Sequence, residues 1–338
     1  MSSYHKIKHL IVLVILTESL ACCTEEFEKN APGNPVPVVY CLLNPSDTIN
    51  YVRLTKSFIG TESASILARD PSQLYFKNAE VYLEIISESG WPIKYAPFTK
   101  IVGPAKEFGI FIESPNQLFS LNASMENYLS EGYTIRLIVN IPEIQAYCSA
   151  NQIYHSAPQI ILPRPSFQTK MNLYNGEPQQ IKWEDKFGAA TYQLSIQLNY
   201  TEVKDQDSIT KSIQVSYNYQ SKITKTDQNA STLVHILDGD SFLKNLAIKI
   251  SKDLNVNYRI FNSFDIILIS ASESFKTYTE SINLTADRTG LPISNMAGGT
   301  GLFSLTSKSV QSGYLLDKPS MDSLSSGRFT IQLKFIKW

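Results

Sequence analysis

Apolar residues recur at every second position in short segments along most of this 338-residue chain. Successive side chains of a strand point to opposite faces of a sheet, so this spacing predicts strands with one buried face. Turn-forming residues at 44–47 and 87–90 separate such strands. The pattern predicts an all-β fold built from β-sandwiches. The clearest segments lie at 52–58, 79–85, 133–139, 192–198 and 213–219, with a closing strand at 329–335.

A proline-rich stretch at 158–166 divides the pattern into two halves. Proline lacks the amide hydrogen that a central strand donates, and proline-rich segments are stiff, so this stretch is typical of a linker. We therefore predict two tandem β-sandwich domains, at 37–157 and 167–338. Their expected type is immunoglobulin/fibronectin-III-like or carboxypeptidase-regulatory-like. Apolar residues at helical spacing predict short helices near 241–250 and 272–282 in the second half.

The first 28 residues have the layout of a bacterial lipoprotein export signal. Lys6 and Lys8 give a basic start, residues 10–16 are all apolar, and cysteines follow at 22 and 23. Seven apolar residues are too few to span a bilayer, which takes roughly 20. We therefore expect a lipoprotein signal peptide at 1–21 that is removed. Acyl chains, palmitate included, on the exposed cysteine would anchor the protein in the outer membrane.

Two neighbouring cysteines compete for this lipidation. Cys22 follows the small residue Ala21, whereas Cys23 has Leu20 at the usual place three residues earlier but a cysteine where a small residue is preferred. We predict lipidation of Cys22, with Cys23 as the alternative. An ordinary secretory signal is the other interpretation.

Residues 22–36 are predicted to form an acidic tether that contains proline and glycine. Glu25, Glu26 and Glu28 follow the cysteines closely and resemble the surface-export signal of lipoproteins in Bacteroidota. We therefore expect the protein at the cell surface, with a periplasm-facing position as the alternative.

The charge balance argues against nucleic acid as a partner. The chain has 30 basic and 31 acidic residues, and removal of 1–21 takes away two lysines and one glutamate, which leaves 28 and 30, a net charge of −2. Nucleic-acid binding depends on clustered lysine and arginine.

The sequence contains no motif of a known catalytic or metal site. Beyond residue 21 the histidines are His155 and His235, and we expect each to be a surface or hydrogen-bonded side chain. The glycine-rich run at 298–303 lacks the lysine of a phosphate-binding loop. Its glycines are expected to permit positive φ or close backbone approach. We predict no cofactor, no metal and no enzymatic activity, with an unrecognised hydrolase as a third alternative.

Covalent modification has two further sets of candidate residues. Cys41 and Cys148 either form a disulfide, which an exported protein can keep, or stay free thiols. Asp-Ser/Thr-aliphatic triplets begin at 47, 207 and 322 and resemble the O-glycosylation sequon of exported Bacteroidota proteins. The candidate sites are Thr48, Ser208 and Ser323.

The chain resembles a family of Bacteroidota outer-membrane lipoproteins of unknown function. The shared layout has the cysteine, early strands at 38–41, 51–55 and 78–81, a strand at 132–137 and the proline-rich crossover. The most specific part is 290–304, which is similar to the family's ending Asn-x-x-Gly-Gly/x-Gly-Leu/Ile-Phe. Members of this family are often encoded beside TonB-dependent receptors.

The signal and the resemblance together imply a lipid-anchored, non-catalytic binding or accessory protein that acts with a TonB-dependent outer-membrane transporter. A glycan or a peptide is the expected ligand class. Trp91, Tyr217 and Tyr219 are candidates to stack on a glycan. The alternative is a structural or envelope-assembly lipoprotein with no small ligand.

Overall fold

The computed structural model describes residues 34–60, 62–164, 169–174, 178–223, 231–284 and 292–337. The strands, in chain order, are β1 (Pro37–Leu43), β2 (Asn50–Lys56), β3 (Glu80–Ile86), β4 (Pro92–Pro97), β5 (Thr99–Gly103), β6 (Asn116–Leu121), β7 (Thr134–Ile141), β8 (Ala146–Ile153), β9 (Ile160–Leu162), β10 (Lys170–Met171), β11 (Gln179–Asp185), β12 (Thr191–Lys204), β13 (Asp207–Gln220), β14 (Ser231–Leu237), β15 (Tyr258–Ala271), β16 (Thr300–Leu316) and β17 (Phe335–Ile336). The α-helices of these residues are α1 (Ala64–Leu67), α2 (Pro71–Leu74), α3 (Gly239–Lys249), α4 (Glu273–Leu284) and α5 (Lys318–Ser326). Short 3₁₀ turns lie at Glu126–Tyr128, Pro142–Ile144 and Ile331–Leu333. The prediction of an all-β, sandwich-type fold is confirmed.

The first sandwich packs a four-stranded sheet, in the order β4-β3-β7-β8, against β5, β6, β2 and β1. Val52, Leu83 and Leu137 point into the shared core and are fully buried. Arg53, beside Val52, is exposed, as is Glu80 at the start of β3, whereas Glu84 and Ile138, beside Leu83 and Leu137, are also buried. The period of two therefore predicted the buried face of these strands correctly.

The second sandwich packs β13, β12, β15 and β16 against the sheet β14-β11-β9 and against α3 and α5. Trp183, Phe242 and Leu324 come from these different layers and are all fully buried in one core. Asp238 caps α3 by accepting a hydrogen bond from the amide of Ser241. The two predicted helices are present as α3 and α4, whereas α5 was not predicted.

Strand β16 joins the two sandwiches. Its first six residues pair in parallel with β1, and from Thr306 onward it pairs antiparallel with β15. Phe303 and Leu305 consequently belong to the first core, as does Met296 just before the strand, while Tyr314 belongs to the second. One ten-stranded sheet runs through both halves, and the far end of the chain completes the first core.

The predicted linker at 158–166 contributes a strand of its own. Ile160–Leu162 forms β9, which pairs with β11 at the edge of the three-stranded sheet. Pro158 and Pro163 lie outside these three residues. The missing amide hydrogens therefore do not interrupt the ladder, as is usual for proline beside an edge strand.

The prediction of a closing strand at 329–335 is wrong. Ile331–Leu333 is a 3₁₀ turn, and only Phe335–Ile336 pairs, in parallel with β15. Lys334 has a φ of 58°, in the left-handed region, so the backbone is not extended at this residue. Leu333 and Phe335 are buried, but Ile331 is exposed and Phe329 only partly buried, so the alternation indicated burial at only two of its four apolar positions.

Candidate functional site

A groove, here called the β1–β2 groove, lies on the outer face of β1 and β2, away from the first core. Tyr40 on β1 and Arg53 and Thr55 on β2 form its floor. Two segments that leave the sheet, 57–77 and 104–115, supply its walls. The groove encloses about 420 Å³, within the range of small-molecule pockets, about 300–1,000 Å³.

The register of β1 and β2 places an aromatic ring next to a cation on the floor. Tyr40 is directly opposite Arg53 in the antiparallel ladder. Tyr278 from α4 donates a hydrogen bond to the hydroxyl of Tyr40 at 3.0 Å, and the two rings meet edge to face at 6.0 Å. Burial, followed by the contact with Tyr40, raises the pKa of Tyr278 to about 12. Tyr278 therefore stays neutral and holds Tyr40 in place from the second half of the chain.

Aromatic and aliphatic side chains form the walls of the β1–β2 groove. The rings of Phe58 and Phe111 approach to 6.2 Å between centroids and connect the two wall segments. Leu74 and Tyr75 are almost fully buried behind them, whereas Phe111 is about half exposed. The walls thus offer an apolar surface to a ring or chain of a ligand.

Three cations, Arg53, Lys56 and Lys106, also line the groove, and its lining contains no carboxylate, histidine or cysteine. Within the described residues, none of the three forms an ion pair. The ammonium of Lys106 lies 5.7 Å from the ring centre of Phe111. Unpaired cations in a concave apolar surface concentrate positive potential there, which favours an anionic ligand.

A larger depression of about 640 Å³ lies beside the groove and shares Lys56 and Tyr75 with it. Its Lys100 already donates to the carbonyl oxygens of Phe76 and Lys77, at 3.1 and 3.3 Å. Glu143 also lines it. Because one cation is engaged and an acid is present, this depression offers less to an anion than the β1–β2 groove does.

No protein-family model and no curated protein matches this chain. The resemblance to Bacteroidota lipoproteins stays a prediction, and the candidate site rests on its geometry.

The cysteines expected to carry lipid, Cys22 and Cys23, lie outside the described residues. Cys41 and Cys148, the candidate disulfide pair, are buried in the first core as free thiols. Burial raises the pKa of the Cys41 thiol to about 12. The thiol of Cys148 donates to the carbonyl oxygen of Gly298 at 3.1 Å. Both cysteines act as small core residues in this structure.

The three candidate O-glycosylation residues lie in different surroundings. Thr48 is exposed in the turn between β1 and β2, and Ser208 is exposed near the start of β13. Ser323 is partly buried on α5, and its hydroxyl donates to the carbonyl oxygen of Pro319 at 3.0 Å. Thr48 and Ser208 are therefore more accessible to a modifying enzyme than Ser323.

The two histidines are buried and belong to neither wall of the groove. His155 is fully buried where the two sandwiches meet, with Nε2 3.1 Å from the hydroxyl of Ser270. A surface position for His155 is thus wrong, and the hydrogen-bonded alternative holds. His235 stacks on Tyr217 with ring centres 4.2 Å apart and bonds to the hydroxyl of Tyr219.

The aromatic residues expected to stack on a glycan are not brought together. Tyr217 and Tyr219 pack against the second core, next to His235. Trp91 is well exposed but lies in the turn between β3 and β4.

Within the described residues, no cluster of His, Cys, Asp and Glu has the arrangement of a metal site. In the same part of the chain, every helix is too short or too polar to cross a membrane.

Sequence reasoning missed the β1–β2 groove because its lining comes from separate parts of the chain. The available signal was the outward face of β2, where Tyr51, Arg53 and Thr55 alternate with the buried Val52 and Leu54. An arginine between two half-buried positions marks an outer face but does not show that loops enclose it.

Proposed function

We propose that this chain is a lipid-anchored outer-membrane protein that binds a small anionic ligand in the β1–β2 groove, without catalysis, and acts with a TonB-dependent transporter. The observation that carries the proposal is the apolar groove with three cations and no carboxylate in its lining. The lipid anchor and the transporter rest on the export signal and on the family resemblance. The lining is suited to binding, since it contains none of the carboxylate, histidine or cysteine side chains that most often act as acid, base or nucleophile.

Mass spectrometry of the protein purified from native membranes in gentle detergent tests the binding part. The organic extract of the wild-type protein is compared with those of Arg53→Gln and of Lys308→Gln, which removes an exposed lysine from β16 instead. We expect an anionic compound that is retained by the wild type and by Lys308→Gln, and depleted at least tenfold in Arg53→Gln. Equal extracts from all three proteins would contradict ligand binding in this groove.

The same preparation tests the anchor and the partner. An acyl mass on the N-terminal peptide, at Cys22 or at Cys23, is expected, together with a near-stoichiometric TonB-dependent receptor. An N-terminal peptide without an acyl mass would contradict the proposed lipid anchor. A preparation without a receptor or a retained compound, combined with an envelope defect on deletion of the gene, would favour the structural, envelope-assembly alternative.

A further inference from the structure

The wall segments of the β1–β2 groove end in a cluster of exposed apolar residues, here called the apolar tip: Ile66, Phe108, Ile110 and Phe111. Their exposed fractions are 56, 84, 66 and 49 per cent. Large apolar side chains are exposed singly on most proteins, but four together on α1 and an adjoining loop mark an interaction surface.

Contacts of neighbouring residues show that the two segments carrying the tip adjoin one another. Arg69 donates to the carbonyl oxygen of Gly109 at 3.3 Å, and its guanidinium lies 5.8 Å from the ring centre of Phe108. The amide of Ile112 donates to Ala68, just after α1. Ile66 precedes Arg69 by three residues, so the two side chains lie on the same side of this short helical segment.

The apolar tip lies at the end of the first sandwich where the predicted tether joins it. The amide of Val36 donates to the hydroxyl of Ser57, and the amide of Ser57 donates to Val36 in return, both at 2.9 Å. Phe58 follows Ser57 and contacts Phe111 of the tip. If Cys22 is acylated, the 14 residues that follow it, up to Val36, can place this end no farther than about 50 Å from the membrane, at 3.6 Å a residue.

We propose that the apolar tip inserts into the outer surface of the bilayer that holds the lipid anchor, an inference that rests on the anchor of the proposed function. Phenylalanine and isoleucine are side chains that peripheral proteins place at the acyl boundary. Arg69 and Lys106 lie over rings of the tip and can reach headgroup phosphates. Glu107 and Glu113 lie on the same loop, so the tip has no net positive charge from these four groups. Insertion is therefore expected to depend on apolar contact more than on anionic lipid.

Quenching of tryptophan fluorescence by brominated lipid tests this proposal on the full acylated protein. The protein is incorporated into phosphatidylcholine vesicles with brominated acyl chains, as wild type, as Phe108→Trp and as Ile209→Trp. Ile209 is also exposed, but on β13 of the second sandwich. The wild-type tryptophans supply the background that is subtracted from both variants.

We expect the added emission of Phe108→Trp to shift to shorter wavelength and to fall by at least half in brominated vesicles, with no such loss for Ile209→Trp. The same result without anionic lipid is expected, because the tip is neutral overall.

The proposal would be overturned if the tryptophan at 108 emitted at the wavelength typical of water and were not quenched by the brominated lipid. A blue shift without bromine quenching would also overturn it, since a protein surface would then cover the tip. If the wild-type protein fails to sediment with vesicles, both the lipid anchor and the insertion of the tip are contradicted. If the Phe108→Trp protein sediments but its added tryptophan is not quenched, only the insertion of the tip is contradicted.

Discussion

Gly301 and Gly313 both have positive φ, at 121° and 85°, but differ in their surroundings. A Cβ at 301 would lie 1.9 Å from the carbonyl oxygen of Val39 on β1, whereas nothing lies within 4 Å of one at 313. Gly301→Ala is therefore expected to cost more than Gly313→Ala, for which backbone strain alone costs about 1–2 kcal/mol. The overlap at 301 adds a further 1–3 kcal/mol or so. Denaturant unfolding of both variants measures the difference, and equal losses would contradict the close approach.

The glycine-rich ending is a structural motif in this chain. Asn295 donates through its side-chain amide to the carbonyl oxygen of Phe303 at 2.7 Å and accepts from the amide of Phe303 at 2.9 Å. Gly298 has a positive φ and passes close to the carbonyl of Tyr147. The expected role of the glycines is confirmed. The role of Asn295 was not predicted, since nothing local shows which backbone an amide will meet.

His155 is expected to make stability depend on pH between 7 and 5. Burial lowers its pKa to about 4, whereas in the unfolded chain it titrates near 6.5. The unfolded state therefore takes up a proton first as pH falls, and about 2 kcal/mol of stability is lost between pH 7 and pH 5 from this group. Unfolding of His155→Gln at both pH values checks this. A variant with the same pH dependence as the wild type would rule out His155 as the source.

At the scale of secondary-structure elements, a buried ion pair ties β12 to β15. Glu202 and Arg259 are almost completely buried, and Arg259 donates to Glu202 through Nε and Nη2 at 3.0 and 2.8 Å. Arg259 also donates to the carbonyl oxygen of Leu333, which follows α5. Burial acts to raise the pKa of Glu202, but the hydrogen bonds from Lys211 and Arg259 outweigh it and lower the pKa. The stabilisation is thus present above the ordinary pKa of glutamate and is lost as pH falls below it.

Glu202→Ala is expected to lower the free energy of unfolding by about 3–5 kcal/mol, because Arg259 is left buried without a counter-charge. Lys211→Ala is the control, since Lys211 pairs with the same carboxylate from a side chain that is 42% exposed. Its loss should cost no more than about 1 kcal/mol. Chemical denaturation of both variants gives the comparison, and similar costs would show that burial of the pair is not what matters.

Strands with one buried face could be predicted from the sequence, whereas the partners of several strands could not. The face of β3 follows from Val81, Leu83 and Ile85, because period two is a local signal. Helix α5 also has a local signal, the capping Asp317 before Pro319, which lies outside the alternation of apolar residues. The pairing of β16 with β1 had none, since its residues are far apart in the chain. The β1–β2 groove was unpredictable for the same reason.

At the scale of the whole molecule, the shared strand β16 predicts that both sandwiches unfold together. Leu83 lies in the first core and Leu246 in the second, and both are fully buried. Leu83→Ala and Leu246→Ala should each cost about 2–5 kcal/mol and shift the same calorimetric transition. Two transitions, each shifted by only one of the variants, would show that the halves are independent.

The position of β16 also sets an order of events during synthesis. Val38 pairs with Thr300, 262 residues farther along the chain. At roughly 5–20 residues per second, the ribosome takes about 13–50 s to make that interval. During this time β1 has its partner on one side only, and its other edge is open to strands of other chains. The first sandwich, although made first, is therefore among the last parts of the molecule to be completed.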